Sequence, residues 1–506
     1  MTVNLAERIA EQASNQPDAP ALVWEGEPIS YGELQEMAAD AKAELDAEGL
    51  PEDRPVGIRA KKSPEAIALI IACLAAEKSF LLPSIELAPE TLAQLFGQAG
   101  ASRVLTPHGP RSDSAASLRA IQDAAPEETP AGMWPPEGGG DDVSFMLTTS
   151  GSTGLPKIVP LTAAGVDAFT DWAADKFDIK PGMKVANYAP LNFDLCLLDI
   201  WTTLKHGGCV VMVDQDRATN ASYLADLLAD NEVGVVQAVP MLYRLLIDAA
   251  GEGDRDFPSM KHVLTTGDKI PPSTLSRLPA LFPNARFFNI YGCTETNDSF
   301  VHEFEGLKEG GAPEVVPVGQ PIPGVAIKIK TEDDEWLEGD AEGKGELLVS
   351  TPFQTRGYLN RELNADRFAP MSANGAGERA FYKTGDIVRR DANGVVSLEG
   401  RADFYVKVRG VRVSTQVVDQ AIAEHRDVVE VVVVAVPDEL AGSRLHAVVL
   451  LEPDSELNSL KLRVHCAERL ARTEMPSKFE LVTEPLPKTS TGKVDRKAVL
   501  KQIESG

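Results

Sequence analysis

Short apolar runs recur from residue 143 to about residue 400: KVANYAP, GCVVMV, VGVVQAV, HVLTT and RFFNI, each followed by a stretch with helical spacing. Runs of this length bounded by turn residues read as buried strands, and their alternation with helices predicts an α/β region with largely parallel sheets. VSFML (143–147) reads as one more buried strand, and DANGVVSLEG (391–400) as a hairpin turn and strand. The longest apolar run, IALIIACLAA (67–76), is about half a membrane span and predicts a buried helix. After Gly400 and Arg401 the pattern changes. VVEVVVVAV and LHAVVLLE read as strands, and SLKLRVHCAERLA and DRKAVLKQI as amphipathic helices, which predicts a small α+β domain. The expected division is a large N-terminal domain over 1–402 and a small C-terminal domain over 403–506. Residues 110–142, rich in Pro, Gly, Ser, Ala and acids, read as a surface connection, and no internal repeat is visible.

Composition narrows the classes. At 506 residues the chain is too long for one core. A net charge of −27 argues against a nucleic-acid partner, whose phosphates would be repelled, and favours solubility. Five cysteines, Cys73, Cys196, Cys209, Cys293 and Cys466, lie scattered without CxxC spacing, which speaks against a metal cluster or a disulfide framework. The first twenty residues lack the apolar core of a signal peptide, so a cytoplasmic protein with no membrane partner is expected.

The densest chemistry is LTTSGSTGLPK (147–157), with five hydroxyl side chains, two glycines and a lysine. Hydroxyls and bare N–H groups donate to phosphate oxygens, glycines admit close backbone approach, and Lys157 adds positive charge. A Walker loop would open directly into a helix. Here Pro156 precedes the lysine and Ile158, Val159 and Pro160 run on as an extended segment, with a helix expected only after Thr162 as its cap. Strand, polar loop, strand is a different phosphate grip. A solvated Ser/Thr/Gly linker is the plain alternative.

The loop resembles that of the adenylate-forming superfamily of acyl-CoA synthetases, luciferases and the amino-acid adenylation domains of nonribosomal peptide synthetases. Matching segments follow in order from ISYGEL (29–34) to STGKVDR (490–496) and cover essentially the whole chain. The resemblance implies sheets sandwiched by helices with a small β-barrel-like part in the large domain, and a mobile C-terminal lid hinged at Asp403. It also implies ATP and magnesium. By resemblance Thr149, Ser150, Gly151, Ser152, Thr153, Gly154 and Lys157 hold phosphates. In FNIYGCTE (288–295) Tyr291 stacks on adenine, Asn289 lies near its edge, Thr294 bonds phosphate and Glu295 holds Mg2+; Gly267 and Ile290 are further ATP contacts. Cys293 stands where the family more often has proline. Asp386 in YKTGD suits two ribose hydroxyls, and Arg401 is expected near ribose or phosphate.

A carboxylate reacts poorly with nucleophiles until it is joined to AMP, and that step brings an anion to a polyanion. Cations aimed at both reduce the repulsion. Lys493 in LPKTSTGKVDRK is the candidate by motif; Lys488 falls outside the match. Gly410 in KVRGVRV is expected to face the site in a second, thiol-transfer step. The Glu-rich stretch usual in the family after this point is replaced by RVSTQVVD (412–419).

NFDLCLLDIW (192–201) resembles the segment of amino-acid adenylation domains in which an aspartate binds the substrate's α-ammonium, and Asp194 holds that position. A helix-capping aspartate is the plain alternative. The remaining pocket positions align as Leu195, Leu198, Gln237, Leu264, Thr266, Ile290, Asp298 and Ser299. The leucines and Ile290 suit a small or medium apolar side chain. Asp298 could bind a polar substrate group, bond internally to Asn297 or Ser299, or point away. No Gly-Gly-Ser carrier motif occurs, so the expectation is a free-standing ligase that loads a small amino acid, L-proline first, onto the phosphopantetheine of a separate carrier protein. An acyl- or aryl-CoA synthetase and a catalytically silent ATP-binding sensor or scaffold are the alternatives.

Overall fold

The computed structural model describes residues 5–107, 133, 142–149, 155–251, 255–304, 307, 312–313, 315–337, 339, 341–372, 377–408, 411–438, 442–453, 455–470, 472, 474–488 and 494–505. Most of the expected surface connection at 110–142 lies outside them. The chain forms two compact units, one of residues 1–328, 348–383 and 394–397, the other of residues 329–347, 384–393 and 398–506.

In the first unit the alternation of apolar runs and helices produces the expected parallel sheet. Strands Arg286–Cys293, His262–Thr265, Val235–Ala238, Lys184–Asn187, Cys209–Met212 and Pro20–Trp24 lie side by side in that order, all parallel. Asn297–Glu303 then returns antiparallel beside Arg286–Cys293, followed by Pro317–Pro321. A second sheet joins Val104–Leu105, Val56–Ile58, Phe80–Leu81 and Val143–Thr149 in parallel, closed by antiparallel Lys157–Thr162.

Both faces of these strands are apolar, so each sheet needs cover on two sides. One face of each sheet shares a core with helices Leu5–Asn15, Tyr31–Ala47, Pro64–Ala75 and Ala163–Phe177. The outer face of the first sheet is covered by Ala221–Asp230 and Pro240–Ala250, that of the second by Pro89–Gln98. The result is a helix–sheet–helix–sheet–helix stack. The run IALIIACLAA forms most of Pro64–Ala75, which is buried along nearly its whole length; truncating Ile70 there would cost about 2–5 kcal/mol. Thr162 caps Ala163–Phe177 as expected, accepting from Gly165 N at 3.1 Å.

In the second unit Val428–Asp438 and Gly442–Leu451 pair antiparallel and Lys478–Val482 adds a parallel strand. Helices Thr415–Ala423 and Ser459–Ala467 cover one face, and Arg496–Ser505 the other through Val499. This is the expected small α+β arrangement. Among the described residues no helix is long and apolar enough to cross a membrane.

Candidate active site

The two strands on either side of the hydroxyl-rich segment pair directly, Thr149 opposite Lys157, and Lys157 opens a strand, Lys157–Thr162, and not a helix. Ser150, Gly151, Ser152, Thr153 and Gly154 lie outside the described residues. Both loop ends meet one carboxylate. Glu295 is 4% exposed, and its Oε1 lies 3.5 Å from Thr149 Oγ1 and 4.0 Å from Lys157 Nζ. Tyr358 Oη donates to the same oxygen at 2.6 Å and accepts from Lys157 Nζ at 3.0 Å, with that ammonium 4.5 Å from the ring centroid. Because the single Tyr358 proton is engaged, Tyr382 Oη is the donor in the 3.1 Å contact between the two phenols. Burial and the Glu295 charge push both phenols above their ordinary pKa, so they remain protonated donors. Tyr358 and Tyr382 were not singled out in the sequence. The local sign, a Gly–Tyr pair in a loop, is weak.

The strand Arg286–Cys293 delivers the FNIYGCTE residues. Gly292 is obligatory, since a Cβ there would sit 2.3 Å from Asn297 O where the hairpin closes. Tyr291 is partly exposed and meets Phe300 edge-on at 5.6 Å. The Asn289 amide donates to Pro317 O at 2.7 Å and accepts from Thr265 at 3.2 Å, so it ties neighbouring strands together. Gly267 has φ +77, which suits glycine.

Asp194 lies in the turn before a π-helix, Leu197–Thr202, whose first residues have no side-chain cap. The Asp194 carboxyl accepts from the Leu195 backbone N–H, a local bond within that turn. Burial raises the Asp194 carboxyl above its usual range, a hydrogen bond from the Thr294 hydroxyl opposes this, and the Glu295 charge adds to the rise. The Thr294 hydroxyl, expected at phosphate, is thus engaged by Asp194. Leu198, Leu264 and Ile290 are fully buried in the core, with Leu195 packed against it. Thr266 N donates to Ala238 O at 3.1 Å. Ser299 Oγ bonds to Asn297 O and Thr296, and neither Asn297 nor Ser299 bonds the Asp298 side chain. Burial, then the Asp194 charge, pushes Asp298 up to about 8.

In the second unit Arg401 donates to Asp386 Oδ1 at 2.8 Å. Asp403 lies in the 3-10 turn Ala402–Phe404. Lys493 and Gly410 are outside the described residues.

Two helix-covered sheets with a buried glutamate beside Thr149 and Lys157 give the α/β class its candidate site. The chain belongs to the AMP-binding enzyme family: residues 9–359 match that family and residues 417–493 its C-terminal domain. It is an ATP-dependent adenylating ligase that uses ATP with magnesium. A D-alanine–D-alanyl carrier protein ligase of Bacillus licheniformis is 27% identical over 99% of this chain and 100% of the relative. An L-proline–[L-prolyl-carrier protein] ligase of Pseudomonas fluorescens is 30% identical over 99% of each. ATP-bound MatB from Rhodopseudomonas palustris shares the fold with TM-score 0.80 at 22% identity, covering 100% of this chain and 99% of that one. The o-succinylbenzoate CoA synthetase from Bacillus subtilis gives TM-score 0.79 at 21% identity over 97% of each chain.

Glu295 fits magnesium. It is a hard carboxylate whose Oε1 takes the described hydrogen bonds, and among the described residues no group of three or more His, Cys, Asp and Glu forms a metal cage. Magnesium is usually held by one or two carboxylates plus substrate phosphates and water, which suits a single buried glutamate beside Thr149 and Lys157.

Proposed function

We propose that the chain joins ATP to the carboxylate of an amino acid, releasing pyrophosphate, and then transfers the aminoacyl group to the phosphopantetheine thiol of a separate carrier protein. ATP supplies the adenylyl group, and magnesium offsets phosphate charge. The observation that carries the amino-acid reading is Asp194, a carboxyl raised by burial and placed beside Thr294 and Glu295. A buried carboxyl is costly unless it meets a cation, and an α-ammonium supplies one. Fatty and aryl acids have none.

In this reading Glu295 holds the metal, Thr149 and Lys157 flank the phosphates, and Tyr291 stacks on adenine. Asp386 and Arg401 serve ribose, with the arginine already orienting one carboxylate oxygen. The domain boundary lies at 402/403 with Asp403 as hinge; Lys493 serves adenylation and Gly410 the thiol step. Leu195, Leu198, Leu264 and Ile290 suit a small or medium side chain. Proline is the first candidate by resemblance, and the names of the relatives support proline or alanine. The five free thiols support a cytoplasmic location.

The test is ATP–pyrophosphate exchange across amino acids and simple carboxylic acids. Exchange with benzoate or fatty acids and no amino acid overturns this reading in favour of a CoA synthetase; no exchange at all favours a silent ATP binder.

A further inference from the structure

Asn187 is the last residue of a strand paired on both sides, by Val235–Ala238 and by Cys209–Met212. The chain leaves that strand end through a turn over 188–195, which carries Asp194, and enters the π-helix Leu197–Thr202. Ligands of open α/β sheets gather at the carboxyl ends of the strands, and single π-turns recur at functional sites. The turn belongs to no strand ladder, so its place in the fold depends on the side chains that bond it.

Asn187 supplies the centre of that set. Its amide donates to Ala189 O at 3.2 Å, and because a carbonyl only accepts, this contact fixes which way the amide points. The second amide proton meets Asp199 Oδ2 at 3.2 Å, with Cys196 Sγ alongside at 3.5 Å. Burial raises the Asp199 carboxyl well above its usual range, so a neutral acid meets a neutral amide. The Asp199 backbone N–H in turn donates to Leu195 O at 3.2 Å, and Leu197 N–H donates to Asp194 O at 2.8 Å. A path of hydrogen bonds therefore runs from the strand end through Asp199 to the residue beside Asp194. Cys196 closes the turn from its far end, its S–H donating to Pro190 O at 3.1 Å. The Lys62 ammonium holds the near end, donating to Asn187 O at 3.0 Å and Tyr188 O at 3.3 Å. Asn187, Cys196 and Asp199 are all buried, where no water competes for these bonds.

We infer that Asn187 is a positioning residue for amino-acid binding: with Asp199 and Cys196 it fixes the turn that presents Asp194 to the substrate ammonium. This rests on the Asp194 reading. A carboxylate binds an ammonium well only when it is held where the ammonium arrives, and the partners that orient such a group matter nearly as much as the group itself. Loosening the turn should therefore cost affinity for the amino acid. It should leave the nucleotide side alone, because Glu295, Thr149 and Lys157 stand on other elements.

The experiment is pyrophosphate exchange with the full chain and the amino acid that it exchanges best, with KM measured separately for that amino acid and for MgATP. Asn187→Ala should raise KM for the amino acid by about tenfold and leave KM for MgATP within about twofold. Asp199→Leu, which offers the amide no acceptor, should match it, and Asp199→Asn, which keeps a carbonyl oxygen there, should stay within about threefold of the parent chain. Because Asn187 acts through Asp194, adding Asn187→Ala to Asp194→Ala should change the amino-acid KM no further, a non-additivity that general loosening of the fold does not produce. Equal rises in both KM values, or full additivity in the double variant, overturn the inference while leaving the Asp194 reading intact. An unchanged KM in Asp194→Ala alone, or exchange with no amino acid, overturns that reading, and the inference falls with it. Should Asn187→Ala and Asp199→Leu not fold, Cys196 decides: Cys196→Ala should raise the amino-acid KM by about threefold and Cys196→Ser, which keeps a donor to Pro190, should restore it. An unchanged amino-acid KM in Cys196→Ala then overturns the inference.

Discussion

Tyr358 donates its phenolic proton to Glu295 Oε1 at 2.6 Å, across 63 residues of chain, and accepts from Lys157 at 3.0 Å. The tyrosine thus holds the proposed metal ligand and the lysine at the loop exit in one arrangement. Tyr358→Phe keeps the ring under Lys157 and removes the bond to Glu295. A hydrogen bond to a charged group contributes about 1.5–3 kcal/mol, so roughly a tenfold or greater loss in kcat/KM for MgATP is expected, recovered in part at high magnesium. A magnesium titration of exchange activity checks this; an unchanged magnesium dependence would show that the tyrosine only fills space.

Glu295→Gln leaves the shape and removes the charge. Exchange should fall by about 100-fold or more while affinity for the amino acid changes little, since a metal ligand is lost and the pocket is not. Calorimetric titration with substrate in the absence of ATP separates the two effects.

Asp194→Ala should raise KM for the amino acid by about 10- to 100-fold, the worth of a charged hydrogen bond, with a smaller change in kcat. An unchanged KM removes its ammonium role.

Lys493→Ala should abolish adenylate formation yet spare transfer from supplied aminoacyl adenylate to the carrier thiol. Equal loss of both half-reactions would contradict the proposed division of labour between Lys493 and Gly410.

Asp298 makes stability depend on pH. Its folded pKa of about 8 lies above the ordinary carboxylate value of 3.8, so the native state keeps a proton that the unfolded chain loses. The penalty is absent below the lower value, grows as pH rises between the two, and is complete above the higher. Asp298→Asn should therefore raise Tm at pH 8.5 and change it little near pH 4.5. The gain at the high end is on the order of a few kcal/mol, because a tenfold change in proton affinity corresponds to about 1.4 kcal/mol and neighbouring Asp194 and Asp199 share the effect. Melting curves across this range decide it.

Much of the fold was legible because its signals are local. Apolar runs bounded by turns became the parallel strands, the Thr162 cap starts its helix, and Pro156 with Ile158 and Val159 announced a strand where a Walker loop would have a helix. Candidate residues such as Glu295 in YGCTE and Asp194 in NFDL could be named from the family resemblance of their segments. Tyr358 could not, because its meaning lies in partners far along the chain. Asn289 and Thr294 illustrate the converse. Their motif positions suggested ligand contacts, yet in the fold their polar atoms engage Pro317, Thr265 and Asp194.

By itself the sequence determined the α/β class, the strands on either side of the hydroxyl-rich loop and the chemistry of the candidate side chains, since apolar periodicity, proline placement and side-chain chemistry act over a few residues. Only the tertiary structure decided which groups meet. In-register strands brought Gln237 beside Asn187, whose amide donates to Asp199, and the fold set Asp298 within electrostatic reach of Asp194. Burial then changed their chemistry, because desolvation depends on what surrounds a carboxyl in space and not on its neighbours along the chain.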